Sequence, residues 1–168
     1  MTEAGVDRTN LRQYVDEICR KKRIKCRCIR CREVGIALQK SKKKIRLKKP
    51  QINVMHYPAS NGNEFFISAD DMKNDLLYGY CRLRFPYQFL RPEINPDSAL
   101  VRELHVLGQA TPIGGIGEVQ HKGLGKELMA KAEEIAKMYY KNKVVVISAI
   151  GTKEYYKKLG YKKEGAYM

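Results

Sequence analysis

Hydrophobic positions change their period several times along this chain, and each change predicts an element. Leu11, Tyr14, Val15 and Ile18 fall on one face of a helix over residues 11–20, with Asn10 as its N-cap. Residues 34–39 read as a first strand. The pattern becomes globular from about residue 63. Strands are expected at 64–68 and 76–85, with Asp70, Asp71, Asn74 and Asp75 marking the connection between them. Pro86, Pro92 and Pro96 punctuate an irregular stretch before a strong strand candidate at 100–107. A glycine-rich loop follows, and then Leu124, Leu128, Met129, Ala132, Ile135, Ala136 and Tyr139 recur at helical spacing over 123 to about 141. An apolar strand at 144–150 leads to a short helix at 152–159, with Thr152 as N-cap and Gly160 as its stop, and to a final strand from Tyr161. No internal repeat is present. The class is α/β.

The loop ends in Gln120-His121-Lys122-Gly123-Leu124-Gly125 and then Lys126. The first N–H groups of a helix have no intrahelical partner, and the helix dipole favours an anion beside them. Glycines let a phosphate approach those groups closely. These residues therefore describe a site for a phosphate-bearing ligand, or else a glycine-rich turn before a core helix.

This loop resembles the acyl-CoA pyrophosphate loop of the GNAT N-acetyltransferases, written Q/R-x-x-G-x-G/A. Residues 100–168 follow that family's order of strand, phosphate loop, helix, strand, short helix and strand. The resemblance implies a GNAT-type mixed sheet with flanking helices and an acetyl-CoA site. The segment Tyr155-Tyr156-Lys157-Lys158-Leu159-Gly160-Tyr161 resembles the family's second signature, Y-x-x-x-G-F. In that family the tyrosine lies near the CoA sulfur and protonates the departing thiolate. Tyr156 takes that place, with Tyr155 as the second choice; both also suit amphipathic packing. In the strand before the loop, alternation puts Leu104 and Val106 on one face and Glu103 and His105 on the other. The resemblance implies that this strand's backbone pairs with the pantetheine arm. Glu103 and His105 are candidates for orienting water or an acceptor. The plainer expectation is that Glu103 pairs with Arg102 or Arg84 and that His105 is packed.

Charge divides the chain. The net charge is +15, and residues 20–49 hold 15 Lys/Arg against one acid, Glu33. The other 138 residues are close to neutral. Such a concentration is the electrostatic footprint of a polyanion, when it is not simply a solvated linker. It lacks the large apolar face of a membrane-docking helix, and no apolar run approaches the ~20 residues of a membrane span. The first ten residues are polar and include Glu3, Asp7 and Arg8, so a cytoplasmic compartment is expected and no secretory leader.

Within the basic segment, Cys26-Arg27-Cys28-Ile29-Arg30-Cys31 brings three thiols into six residues. They can converge on one soft metal, most simply Zn²⁺. Cys19, His56 and Cys81 are the candidates for a fourth ligand; reduced, metal-free thiols are the alternative. Residues 1–33 are thus expected to form a linker helix and a small zinc-type module. Residues 34–168 would form the acetyltransferase-like domain, with a lysine-rich insertion at 40–49.

Several segments together are more specific. Cys28-Ile29-Arg30-Cys31-Arg32-Glu33-Val34-Gly35, Arg102-Glu103-Leu104-His105-Val106, the loop at 120–125, Val146-Ile147-Ser148, the run 151–161 and the closing Gly165-Ala166-Tyr167-Met168 all resemble the catalytic subunit of Elongator. That family joins a radical-SAM domain to an acetyltransferase-like domain. The resemblance implies modification of the wobble uridine of tRNA at carbon 5 to carboxymethyluridine. A radical formed on SAM activates the acetyl methyl of acetyl-CoA, and thioester hydrolysis then releases CoA. The cysteine spacing C-x-x-x-C-x-x-C of the radical-SAM iron–sulfur cluster occurs nowhere in this chain. The radical-SAM domain is therefore expected in cis or as a separate chain, and this chain is expected to bind or hydrolyse acetyl-CoA without completing carboxymethylation. The competing readings are a stand-alone lysine or amine N-acetyltransferase and a tRNA-binding module with vestigial CoA binding.

Overall fold

The computed structural model describes residues 10–41, 45–108 and 123–168. Three helices, α1 (Leu11–Lys21), α2 (Ile29–Arg32) and α3 (Val34–Lys40), precede a five-stranded sheet in the order β1-β2-β3-β4-β5. Its strands are β1 (Gln51–Ala59), β2 (Gly62–Asp71), β3 (Leu76–Phe85), β4 (Ser98–Val106) and β5 (Lys143–Val146). The first four are antiparallel neighbours, whereas β4 and β5 run parallel. Helix α4 (Leu124–Met138) supplies the crossover that a parallel pair requires. A 3₁₀ turn (Ile150–Thr152) and α5 (Lys153–Lys158) follow β5. This is the expected mixed sheet with flanking helices.

The core lies between α4 and one face of the sheet. Leu124, Leu128, Met129, Ala132, Ile135 and Ala136 pack onto Ile67, Ala69, Cys81, Leu83 and Val101. The helical spacing seen in the sequence is thus the buried stripe of α4, except for Tyr139, which caps the end of the helix and is exposed.

Residues 34–39 form a helix rather than the expected strand. Val34, Ala37 and Leu38 recur at i, i+3 and i+4 and pack against the core, with Val34 fully buried. Gly35 lies where a Cβ would sit 3.1 Å from the backbone of Gly108, so this approach needs glycine. Strand β1 was not expected. None of its residues is buried and only one of its edges is paired among the described residues, so its alternation carries little apolar contrast. It joins β2 through Ser60 and Asn61, both at positive φ, the two-residue hairpin turn that Asn-Gly favours.

Strand β2 also runs past 68. Asp70 and Asp71 are buried within it rather than marking a loop. Asp71 accepts hydrogen bonds from the N–H groups of Lys48, Lys73 and Asn74, from Asn74 Nδ2 and from Tyr78 Oη. These bonds tie the turn before β3 to the segment entering β1. Strand β5 is shorter than expected, since Ile150 opens the 3₁₀ turn. No strand starts at Tyr161. Instead Met168 exchanges backbone hydrogen bonds with Val146 at 2.7 and 3.1 Å, after a turn closed between Glu164 and Tyr167. Neither predicted N-cap forms. The Asn10 amide bonds to the Gln13 side chain, and the Thr152 hydroxyl donates to the Ala149 carbonyl. The apolar stripe of α1 buries nothing among the described residues, with Leu11 61% and Ile18 51% exposed.

Candidate acyl-CoA cleft and cysteine cluster

The parallel ladder between β4 and β5 runs from Ser98–Lys143 to Val101–Val146 and closes with the Ile147 N–H donating to the Val101 carbonyl at 2.9 Å. Residues 102–106 of β4 then continue with no β5 partner among the described residues. The β3–β4 register shifts at this point, between Arg82 and Leu83, leaving Arg102 as the extra residue. The Leu107 N–H donates to Tyr78 O, and the His105 carbonyl faces Gly79, 2.7 Å from where a Cβ would lie. Alternation then turns the peptide groups of Leu104 and Val106 away from β3, toward the gap. Among the described residues no strand pairs with that edge, so an extended amide-bearing chain can pair with it.

Helix α4 begins beside this edge. Gly123 caps it at φ +77°, a left-handed conformation that favours glycine. The first intrahelical bond is Glu127 N–H to Gly123 O, so the N–H groups of Leu124, Gly125 and Lys126 have no intrahelical partner. A Cβ on Gly125 would lie 2.6 Å from Tyr155 Oη and 3.5 Å from Val106 Cγ2. A side chain at 125 would press on the Tyr155 hydroxyl, where the start of α4, the end of β4 and α5 come together. Leu124 is buried in the core and Lys126 is exposed. Gln120, His121 and Lys122 lie outside the described residues.

The two tyrosines occupy different places. The hydroxyl of Tyr155 meets the first turn of α4. Tyr156 is buried among the core residues, its ring edge-on to Tyr155 and to Tyr161. Burial, helped by the neighbouring Cys81 and Tyr155, pushes its hydroxyl up to about 12. Burial alone raises Tyr155. The buried Ser148 Oγ, on the segment that follows β5, has no partner among the described residues.

Glu103 and His105 stand on the sheet face opposite α4, as alternation requires. Glu103 pairs with Arg82 at 2.9 Å and accepts from Tyr80 Oη at 3.2 Å. The partners expected for it, Arg84 and Arg102, converge on Glu64 instead, at 2.9 and 2.7 Å. Arg82 Nη2 adds an ion pair to Glu64 at 3.6 Å. Glu64 is fully buried. Burial pushes its carboxyl up, yet the hydrogen bonds from Arg84 and Arg102 outweigh that and hold it below the usual range. Burial and then the Glu103 charge raise Tyr80.

In the N-terminal part, the Sγ atoms of Cys26, Cys28 and Cys31 all lie within 4.8 Å of one another. Arg12 donates to Cys31 Sγ at 2.8 Å and to Cys28 Sγ at 3.5 Å, and pairs with Asp16. The Cys28 thiol is drawn down to about 6, chiefly by the Cys31 backbone N–H. Burial raises Cys31. None of the expected fourth ligands joins this group. His56 stacks on Phe65 and bonds Asn63, Cys81 is buried in the core, and Cys19 is not among the converging sulfurs.

The basic segment around the cluster is anchored to the sheet. Arg32 pairs with Asp70, and Lys25, Arg27 and Arg32 all meet Asp75, at 2.7, 3.2 and 3.1 Å. The sequence presented these acids only as turn formers.

Comparison with known proteins agrees with this geometry. The model of the acetyltransferase (GNAT) domain matches residues 117–167. The chain is 45% identical to the tRNA uridine(34) acetyltransferase of Methanocaldococcus jannaschii, over 98% of its own length and 31% of the relative's. It is 39% identical to Elongator complex protein 3 of Danio rerio, over all of this chain and 31% of that protein. The solved structure of Methanocaldococcus infernus Elp3 with an N-terminal deletion (1–46) superposes with a TM-score of 0.84 at 44% identity, covering 98% of this chain and 39% of that one. The chain thus spans about a third of the length of these relatives. No helix among the described residues is long and apolar enough to cross a membrane. Sequence over nearly the whole chain and fold together match it to the GNAT-type part of the tRNA uridine(34) acetyltransferases and Elongator complex protein 3.

Proposed function

We propose that this chain is the acetyl-CoA-binding, tRNA-dependent unit of a cytoplasmic enzyme that carboxymethylates carbon 5 of the tRNA wobble uridine. One observation carries the reading: β4 parts from β5 beside the open first turn of α4, with the Tyr155 hydroxyl against that turn and Tyr156 packed edge-on behind it. The pyrophosphate sits on the N–H groups of Leu124, Gly125 and Lys126, with Gln120, His121 and Lys122 completing the loop. The pantetheine arm pairs with the backbone of β4 from Glu103 to Val106.

Thioester hydrolysis follows from these positions. Glu103, held by Arg82 and Tyr80, orients a water and takes its proton as the oxygen adds to the acetyl carbonyl. The C–S bond then breaks. Tyr156, a phenol protonated at neutral pH, passes its proton to the leaving thiolate and recovers one from solvent. Acetate and CoA are the products. Tyr155 stands at the phosphate end.

Activation of the acetyl methyl needs SAM and an iron–sulfur cluster, supplied by a radical-SAM domain in cis or as a separate chain. Cys26, Cys28 and Cys31 form the donor set for a structural Zn²⁺, which thiolates suit. Residues 1–33 would then be a zinc-type module beside the acetyltransferase-like domain at 34–168. The relatives' names support tRNA as the partner, as does the concentration of basic residues at 20–49.

The test is CoA release from acetyl-CoA alone, with tRNA, and with a lysine-rich peptide. Release that rises only with tRNA is expected. Acetylated peptide would favour an amine acetyltransferase. Failure to bind acetyl-CoA would leave only an RNA-binding module.

A further inference from the structure

On the face of the sheet opposite α4, three rings form a column across adjacent strands. Phe66 on β2 stacks with Tyr80 on β3, centroids 5.3 Å apart and planes 27° apart. Tyr80 in turn lies 5.1 Å from His105 on β4, at 35°. Each inner ring face is covered by the next ring. The column points from β2 toward β4, and among the described residues no strand lies next at this level, because β5 has already parted from β4 at Val101. His105 is exposed and ends the column among the described residues, with a ring contact only to Tyr80. The Tyr80 hydroxyl is fastened to Glu103, which holds the middle ring in place. Arg82, Arg84 and Arg102 stand around the column with Glu64 and Glu103, and the charge of Glu33 also reaches Tyr80.

We propose that the open face of His105 is a stacking platform for a nucleobase of single-stranded RNA, which continues the Phe66–Tyr80–His105 column above the gap that receives the acyl group. Every base has a π-face, and a flat ring is what extends such a column. Bases splayed out of RNA loops are bound in this way on aromatic side chains of sheet faces. The partly exposed guanidinium groups of Arg82 and Arg102 complement the phosphates on either side. The inference rests on the RNA reading above and assigns His105 a binding role that proton transfer does not require.

The test uses the whole chain and a hairpin RNA carrying 2-aminopurine at one loop position, whose fluorescence falls on stacking. Wild type is expected to bind and to quench the probe. His105→Phe keeps a ring but no imidazole, and should quench like wild type. His105→Ala should lose the quenching and bind about tenfold more weakly, as loss of one base–aromatic stack implies. Circular dichroism checks that the variants are folded. In parallel, a hairpin with 4-thiouridine at the same position is photo-crosslinked to wild type and should label the peptide 101–107. Quenching retained in His105→Ala, quenching lost in His105→Phe, or labelling confined to other peptides overturns the platform. If wild type binds no hairpin at all, the RNA reading falls with it; binding without quenching overturns only the platform.

Discussion

Gly125 shows how much one missing Cβ can carry. A side chain there meets the Tyr155 hydroxyl at 2.6 Å and also stands among the N–H groups offered to the pyrophosphate. Gly125→Glu adds bulk and like charge, so acetyl-CoA affinity should fall by at least about tenfold, with calorimetry on the folded variant as the measurement. Glu64 makes the opposite case, a buried charge held by three arginines. Glu64→Gln leaves those guanidinium groups less well paired, and about 2–3 kcal/mol of stability should be lost in urea titration at neutral pH. The sign with pH is fixed by the direction of the shift. Since the folded carboxyl lies below its ordinary value, its contribution is complete above the unfolded range and disappears as pH falls through the lowered value. The wild type should therefore lose stability faster than Glu64→Gln as the pH is taken below about 4.5, the ordinary carboxyl value. Parallel acid limbs for the two proteins would refute the buried-anion role.

Among the elements, the segment from α1 to α3 has the least conventional support. α1 buries no side chain among the described residues, and α2 is one turn long. Their neighbourhood is held by Arg12 at the thiols and by Arg32, Arg27 and Lys25 at the acids of β2 and the following turn. Replacing Cys28 and Cys31 together with Ser should abolish bound zinc in metal analysis of protein purified without added metal. It should also increase proteolysis within 20–33. A wild type that carries no zinc and resists proteolysis as the double variant does would remove the metal from this reading. The same salt bridges explain why charge alone misjudges the segment. Three of its fifteen bases are already tied to Asp70 and Asp75, so they are less available to a polyanion. Changing Lys42, Lys43, Lys44, Lys48 and Lys49 to Ala should weaken tRNA binding and flatten its dependence on salt, because fewer counterions are released. Acetyl-CoA affinity should stay within about twofold. The Lys48 contact to Asp71 is made by the backbone N–H and survives the substitution. An unchanged salt slope in filter binding would make this run a solvated linker.

For the whole molecule, one sheet serves two faces with different chemistry. The α4 face is apolar and provides stability; the opposite face carries Glu64, Glu103, the arginines and the ring column. The cleft lies where these faces meet at the free edge of β4. An acyl group held there is reachable from the polar face, while the phosphates stay on the α4 side. If so, tRNA and acetyl-CoA should be able to bind together. Acetyl-CoA affinity measured with saturating tRNA should be no weaker than without it, and CoA release should rise in the same mixture. Mutually exclusive binding in calorimetry would contradict this arrangement of the faces.

What was legible in the sequence is what local spacing encodes. The stripe of α4, the whole of β3, the glycines at the start of α4, the three clustered thiols and the separation of charge all lie within short windows, where helix or strand period and ligand spacing act directly. The tertiary structure alone decided the rest. Residues 34–39 suit a strand by composition, but Val34, Ala37 and Leu38 reach the core only as a helix. Strand β1 exists because β2 offers it an edge, not because its own pattern demands burial. Arg32 meets Asp70 and Arg102 meets Glu64, each 38 positions away, and no local period encodes pairs so distant. The parting of β4 from β5, the different settings of Tyr155 and Tyr156, and the column ending at His105 likewise depend on which strands lie side by side. Register and packing between distant segments set those relations, so they become readable only once the sheet has formed.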